Sequence, residues 1–557
     1  MEQRLKLVAL FFLIAFFFVG GKLFYWQVLQ KKNLSALATR QHYARQEVTA
    51  ARGKIFSKDD FPLALNRKAF LLYVNPQQIK LSSAGLKSKL KAFVKEGEEI
   101  KDFPPNVAWF PLLKDLNEET KKAIENLQIT GLGFEESEKR FYPEASMSAQ
   151  LLGFVGEDDK GQPKGYFGLE GYYDNELKGK AGQRLFEQDA LGRPLPLAEE
   201  WEERSIAGRN LFLNLDRPLQ FIVESYLKKG IEKYGASSGW VAVMDPQNGA
   251  VLAMAAYPSY DPSQYSRFEP DLFRNPLISS AFEPGSIFKV LVMAAAIDAR
   301  VVKADDICPS CDGPRRIGDY TIKTWNDKYF PDSSMEEIIV HSDNVGMVYV
   351  GEKLGLNRFY DYLKKFGLGE KTNIDLQGEV VPSLREKKDW YDLDLAAATF
   401  GQGIAVTPIQ MLEAVSVIAN GGKLYQPQVV KKIFEDSRTI TIEPIKRGNS
   451  ISASTAKIIT QMMVEAVEKG EAKWAQPKGY QIAGKTGTAQ IPIAGHYDPE
   501  KTIASFIGFA PVNNPKFAML VSLREPKTSP WGSETAAPLW FEIAKEIFRL
   551  WGIAPDY

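Results

Sequence analysis

The apolar positions of this chain form three kinds of pattern, and each predicts a different element. The first is an unbroken apolar run over residues 7–21, followed by Lys22 and then Leu23-Phe24-Tyr25-Trp26. Extended to Leu29, it would reach about 35 Å as a helix, enough to cross a bilayer core. Lys22 can snorkel toward an interface where Tyr25 and Trp26 are also at home. An Ala36-Leu37-Ala38 triplet offers a cleavage signal, but it lies beyond Lys31-Lys32 and far from the apolar stretch. An uncleaved anchor over residues 7–29 is therefore expected. Basic residues flank it on both sides (Arg4 and Lys6 before; Lys22, Lys31, Lys32 and Arg40 after), so charge alone leaves its orientation open.

The second pattern is mixed. Over residues 30–205, charged helical stretches at 86–99 and 116–127 alternate with short extended runs such as 70–74. No repeat of fixed period and no cluster of catalytic residue types stands out there.

The third pattern begins near residue 206. A strand over 211–215 stops at Asp216-Arg217-Pro218, and a helix over 219–229 follows. Apolar runs at 240–244 and 251–254 flank a turn ending in Asn248-Gly249, a strong hairpin signal. Helical periodicity then marks 287–298, 335–354 and 408–419. Strands are expected at 480–490, 502–510 and 517–523, and an amphipathic helix at 538–551. This order predicts an α+β domain, an antiparallel sheet with helices on both sides.

Composition narrows the function. At 557 residues the chain needs two or more domains. Lys+Arg and Asp+Glu are both 69 and no basic run occurs, so no nucleic-acid partner is expected. Three histidines, His42, His341 and His496, leave few bases for a Ser-His-Asp machine and no metal site is expected. One Cys308-Pro309-Ser310-Cys311 pair cannot supply four zinc ligands. It is expected to be two thiols in a short loop or a local disulfide.

The candidate chemistry lies in three short strings. Glu283-Pro284-Gly285 cannot be helix interior and a long apolar helix follows, which places Ser286 at a helix N-terminus and Lys289 one turn later on the same face. A serine hydroxyl is a poor nucleophile at neutral pH, and a desolvated, partly neutral lysine can take its proton. The helix start adds backbone N–H groups for an oxyanion. The S-x-x-K spacing alone is weak, because Ser88/Lys91 and Ser454/Lys457 share it; neither of those follows a Pro-Gly break and opens an apolar helix. Ser342-Asp343-Asn344 offers a hydroxyl to relay a proton and an amide to bond a peptide group, although an N-cap serine and a turn asparagine would read the same way. Lys485-Thr486-Gly487-Thr488 lies in the 480–490 strand, with a cation and two hydroxyls for a carboxylate and a glycine where a ligand backbone could approach. Their joint occurrence in this order is the S-x-x-K, S-x-N, K-T-G signature of serine acyl-transfer enzymes that react with penicillin.

The chain resembles the class B penicillin-binding proteins, membrane-anchored peptidoglycan D,D-transpeptidases. Beyond the triplets, the likeness is carried by Ala281 through Ser286, His341 through Gly346, Phe366-Gly367-Leu368-Gly369, Ile374 through Glu379, Phe400-Gly401-Gln402-Gly403 and Thr407-Pro408-Ile409-Gln410. Arg52-Gly53-Lys54-Ile55, Gly168-Leu169-Glu170 and Asp189 through Arg193 are similar to that family's non-catalytic module. After Ile55 the chain departs from the family's acidic turn, with Phe56-Ser57-Lys58-Asp59-Asp60-Phe61, and Ile287 stands where threonine is commoner.

The resemblance implies a cytoplasmic tail over residues 1–6, an anchor over 7–29, an elongated mixed α/β pedestal of the dimerisation type over 30–205, and a transpeptidase domain over 206–557 of the serine β-lactamase-like fold, on the outer side of the cytoplasmic membrane. It implies that Ser286 forms an acyl-enzyme with a D-Ala-D-Ala stem peptide and that Lys289 is its base. Ser342 and Asn344 would shuttle protons and bind the peptide. Lys485, Thr486, Gly487 and Thr488 would hold the substrate, and backbone N–H groups of Ser286 and Thr488 would form the oxyanion hole. An amine of a second stem peptide would accept the acyl group, and β-lactams would acylate the same serine. It implies no cofactor. The expected partners are membrane lipid, a SEDS-family glycosyltransferase of the FtsW-like kind and other divisome proteins. The blocks around Ser286 and Asn344 are most similar to the cell-division, FtsI-like type. No repeat module is expected after the last helix. The alternatives are an elongation-type transpeptidase, a membrane-anchored β-lactam sensor, a β-lactamase, or an inactive scaffold.

Overall fold

The N-terminal apolar run forms a helix, Glu2–Phe24, continued by a π-helical turn, Tyr25–Leu29, in the computed structural model, which describes residues 1–94, 99–107, 109–159, 161–187, 201–435, 437–493 and 496–556. Glu2–Leu29 is long and apolar enough to cross a membrane. None of its residues is buried against protein, as expected of a surface meant for lipid. The stretch from Asp189 to Arg193 lies outside the described residues.

By compactness the chain forms two units. One comprises Met1–Arg52 with Lys178–Gly208. In it the strand Gly182–Glu187 is the middle of a three-stranded antiparallel sheet, between Tyr43–Val48 and Trp201–Glu203.

The other unit comprises Gly53–Leu177 with Arg209–Tyr557. Its first sheet has the order Arg438–Thr441, Val430–Glu435, Asn210–Leu213, Ile55–Phe56, Pro62–Val74, Phe110–Leu116, with Leu132–Phe141 also paired to Pro62–Val74. It takes strands from both sides of the expected boundary at 205/206. Phe70, Leu72 and Val74 alternate inward and bury against Leu86 and Leu90 of helix Ser83–Leu90 and Ile124 of helix Glu118–Glu125. Both helices are shorter than their sequence periodicity; Ser82 and Asn117 fix where they begin by accepting from the N–H of Gly85 and Thr120.

Three of the family-like stretches, those at Gly53, Gly168–Glu170 and Ile374–Glu379, meet at one junction. Asp375 is buried, and its carboxylate accepts the N–H of Val429 (2.7 Å) and Val430 (2.8 Å) and the hydroxyl of Tyr173 (3.1 Å). Gln377 accepts the N–H of Phe167 at 2.6 Å and donates its own to Gly168 O. Beside them Arg140 donates to Glu170 (2.6 Å) and to the carbonyl of Gly53 (2.8 Å), both side chains being buried. Asp375 and Gln377, through Tyr173, Phe167 and Gly168, tie the 53–177 segment to the segment after residue 209.

The second sheet positions the site. Its order is Val251–Tyr257, Ser238–Met244, Phe517–Arg524, His496–Ala510, Ala483–Ile493, antiparallel throughout. Side chains alternate between two cores. Trp240, Ala242, Met244, Leu520 and Phe509 join the layer that contains helices Lys289–Asp298, Asn344–Lys365 and Pro408–Ala419. Val241, Val243, Met519, Val521 and Phe506 join the opposite layer with helices Arg217–Tyr234 and Ala536–Leu550. A sheet buried on both faces is the physical meaning of those near-continuous apolar strands. The expected α+β sandwich, with helices on both sides of an antiparallel sheet, is what forms.

Candidate active site

Pro284 and Gly285 set the start of the Ser286 segment. Gly285 has φ +57°, and the chain turns into a single 3₁₀ turn, Gly285–Phe288, before the α-helix Lys289–Asp298 begins. Ser286 therefore sits in the turn that leads into the helix rather than on its first residue. Every residue from Lys289 to Ile297 is buried. The helix is apolar all round, so it packs in the interior and carries Lys289 with it. The Phe400-Gly401-Gln402-Gly403 stretch backs this turn. Gly285 N–H donates to Gly401 O at 3.0 Å, and a Cβ on Gly401 (φ +81°) would lie 2.1 Å from Gly285 O.

The Ser342 segment differs from its sequence expectation. The periodic stretch 335–354 is two helices, Met335–Val340 and Asn344–Lys365, with a break between them. Asp343 makes the break, because its side chain accepts the N–H of Val345 at 2.8 Å and so caps a new helix. Ser342 adopts φ +55°, the left-handed region, which costs a non-glycine residue about 1–3 kcal/mol. The two helix ends hold it there.

Ser342 joins the three strings. Buried Lys289 Nζ donates to Ser342 O (2.5 Å), Asn344 Oδ1 (2.7 Å) and Ser342 Oγ (3.3 Å). Asn344 is oriented by its Nδ2, which donates to Lys323 O at 3.0 Å. Buried Lys485 Nζ donates to the same Ser342 Oγ at 3.0 Å, and at 3.3 Å to the carbonyl and hydroxyl of Thr486. One hydroxyl thus lies between two amines. An ammonium has three N–H groups and a neutral amine two plus a lone pair. Loss of a proton from Lys289 therefore frees one of its three contacts and presents a base.

Burial is the first cause that drives the Lys289 amine well below its ordinary value, and the charge of Lys485 is the second; Asp343 and Glu471 act the other way. Burial likewise brings Lys485 down to about 8, opposed by Glu471. Burial pushes the Asp343 carboxyl up, against the N–H groups of Gly346 and Val345 and the charges of Lys289 and His341.

The strand Ala483–Ile493 lies against the Ser286 turn because glycines remove side chains at the crossing. A Cβ on Gly487 would come 2.8 Å from Ile287 Cγ2, and one on Gly285 would come 2.9 Å from Thr488 O. Ser286 and Thr488 are thereby neighbours across the crossing. Thr488 Oγ1 accepts the N–H of Gly532 at 3.0 Å, so the loop after the strand Phe517–Arg524 closes the far edge.

Ser286, Ser342, Asn344, Thr486, Gly487 and Thr488 all line one cleft of about 260 Å³, and Lys289 and Lys485 are buried behind it. Every residue singled out from the sequence is thus in one place. Sequence reasoning gave no role to Trp325, Gln402, Glu471 and Trp531, which line the same cleft. Trp325 and Trp531 meet with ring centroids 4.9 Å apart. Gln402 had a signal in the Phe-Gly-Gln-Gly stretch; the other three come from loops whose local sequence carries none. Among the described residues no group of three or more His, Cys, Asp or Glu could hold a metal ion. Cys308 and Cys311 are joined in a local disulfide, one of the two states left open by the sequence.

Comparison with known proteins gives a consistent result. A family model described as the penicillin binding protein transpeptidase domain matches residues 239–549, and one described as the penicillin-binding protein dimerisation domain matches residues 47–213. The chain is 32% identical to stage V sporulation protein D of Bacillus subtilis over 100% of this chain and 86% of the relative. It is 28% identical to peptidoglycan D,D-transpeptidase FtsI of Escherichia coli K12, over 98% of this chain and 91% of that one. Among solved structures, penicillin binding protein 3 of Mycobacterium tuberculosis in complex with aztreonam superposes with a TM-score of 0.71 at 25% identity, covering 92% of this chain and 98% of that one.

Proposed function

The chain belongs to the class B penicillin-binding proteins, a family of serine acyl-transfer enzymes, and on that premise we propose that it cross-links peptidoglycan stem peptides through an acyl-enzyme on Ser286. The observation that carries this reading is the Lys289–Ser342–Lys485 arrangement, with one hydroxyl held between two buried amines beside the nucleophile turn.

Neutral Lys289 takes the hydroxyl proton of Ser286. Ser286 Oγ attacks the carbonyl of the penultimate D-Ala, and the developing oxyanion is met by the N–H groups of Ser286 and Thr488. The terminal carboxylate lies on protonated Lys485 with Thr486 and Thr488, and Gly487 leaves room for the donor backbone. Ser342 passes a proton to the departing D-Ala amine, drawing on the lysines on either side of it. Asn344 bonds the donor peptide and fixes Lys289. An acceptor amine then takes the acyl group and Ser286 regains its proton. A β-lactam enters by the first half of this sequence and stays.

In this reading Glu2–Leu29, long and apolar enough to cross a membrane, is a single-pass anchor with the N-terminus in the cytoplasm, and the transpeptidase domain acts on the peptidoglycan side. A SEDS-family glycosyltransferase is the proposed partner. Similarity to FtsI favours septal synthesis, and depletion giving spheres rather than filaments would reassign the enzyme to elongation. The central test is a fluorescent penicillin followed by peptide mapping. The label is expected on Ser286 and absent in Ser286→Ala; label that persists in that variant ends the proposal. Rapid release of hydrolysed drug would instead favour a β-lactamase.

A further inference from the structure

The second half of the reaction poses a problem that Ser286, Lys289, Ser342 and Lys485 do not solve. The incoming amine must occupy the place the leaving D-Ala amine has vacated, because the two steps are the same reaction run in opposite directions. That place is beside Ser342 Oγ, next to two lysines. An alkyl amine reaches it at neutral pH as an ammonium, which protonated Lys485 repels and which has no lone pair for attack.

Of the residues that line the cleft, one is a carboxylate, Glu471. It follows the helix Ala453–Glu468 and the turn at Gly470. A Cβ on Gly470 would lie 3.3 Å from Val340 O, so this turn is seated against the end of the helix that leads into Ser342. Lys485, Lys289 and His341 lie within electrostatic reach of the carboxylate, and the Trp325 side chain also favours its charged form. The residue is exposed, so protons can leave it for water.

Resting on the transpeptidase reading, we infer that Glu471 is the acceptor-binding residue: its carboxylate receives the acceptor's ammonium and takes one proton from it. The neighbouring protein partly screens the carboxyl from water and pushes it above its ordinary range, while the two lysines and His341 pull the other way. The acceptor R–NH3⁺ gives H⁺ to Glu471, and the resulting lone pair attacks the acyl carbonyl. The C–N bond forms as the C–Oγ bond to Ser286 breaks. A second N–H proton passes through Ser342 and Lys289 to Ser286 Oγ, and Glu471 returns its proton to solvent.

The test measures how one acyl-enzyme partitions. The full chain is given an acyl-D-alanyl thioester donor with either D-alaninamide, largely an ammonium at neutral pH, or hydroxylamine, which is neutral there. The ratio of aminolysis to hydrolysis product is independent of how fast acylation occurs. Glu471→Gln should lower that ratio for D-alaninamide by about ten-fold or more, as loss of a charge partner at a binding site does, and leave it nearly unchanged for hydroxylamine. Glu471→Asp should recover part of the loss. A ratio that holds for both acceptors, or that falls equally for both, overturns the assignment. A wild-type protein that forms no Ser286 adduct with thioester or penicillin overturns the transpeptidase reading itself.

Discussion

Replacing Lys485 with methionine should change both sides of the pH profile of acylation. Lys289 Nζ and Lys485 Nζ lie 3.3 and 3.0 Å from the same Ser342 Oγ, so they are no more than about 6 Å apart. At an effective dielectric near 20, two unit charges at about 6 Å repel by about 3 kcal/mol. Only protonated Lys289 feels that repulsion. In the wild type, acylation should rise with pH as Lys289 becomes neutral and fall above about 8 as Lys485 loses the charge that holds the substrate carboxylate. Without Lys485 the protonated form of Lys289 is relieved, so the acid side should move to higher pH and the alkaline fall should vanish. The maximal rate should drop roughly ten- to hundred-fold, the loss of one charge-assisted hydrogen bond of about 1.5–3 kcal/mol. Lys485→Arg separates the two effects: a permanent cation should keep the acid side in place and still abolish the alkaline fall. The assay is the second-order rate of fluorescent-penicillin labelling from acid to strongly alkaline pH. An acid side that stays where it was in Lys485→Met would refute the coupling of the two amines.

Three further perturbations probe other parts of the argument. Ser342→Ala removes the hydroxyl shared by the lysines and should slow acylation by about 10²- to 10⁴-fold, as loss of a proton relay does, with the protein still folded by circular dichroism. Gly401→Ala places a Cβ at φ +81° against Gly285 O; about 1–3 kcal/mol of strain should appear as a lower melting temperature, with penicillin labelling weakened in the same protein. Asp375→Asn puts an amide where one carboxylate accepts from Val429, Val430 and Tyr173, and should cost about 1–3 kcal/mol in denaturant unfolding while leaving the rate of labelling of the folded protein unchanged.

What the sequence makes legible follows from the range of each interaction. The anchor, the hairpin at Asn248-Gly249, helix Pro408–Ala419 and the three late strands are set by local periodicity and turn chemistry, and they appear close to where the pattern puts them. The three candidate strings are legible as residue types at fixed spacing, and the fold brings them together. The break at Ser342 was hidden, because Ile338, Ile339, Val345 and Val348 keep a helical apolar rhythm through it while Asp343 starts a new helix. Glu471, Trp325 and Trp531 were hidden for another reason. Each stands on a loop whose own sequence is unremarkable, and its place in the cleft is decided by distant packing, such as Gly470 against Val340 and Gly532 against Gly487.

The separation of the three strings along the chain has a physical consequence. A lysine wholly inside an apolar helix would ordinarily be expelled, since burying an ammonium without partners costs several kcal/mol. Here burial in the domain interior keeps water from Lys289, which lowers its basicity, and Ser342 and Asn344 supply the acceptors that make its burial tolerable. Lys485 then adds a second positive charge that weakens the first proton further, and it shares Ser342 Oγ to do so. No one string produces an active serine. In the proposed mechanism the first would supply the nucleophile and base, the second would make the base's burial possible, and the third would set its charge. A penicillin-reactive serine should therefore be lost by damage to any of the three, including damage that never touches Ser286.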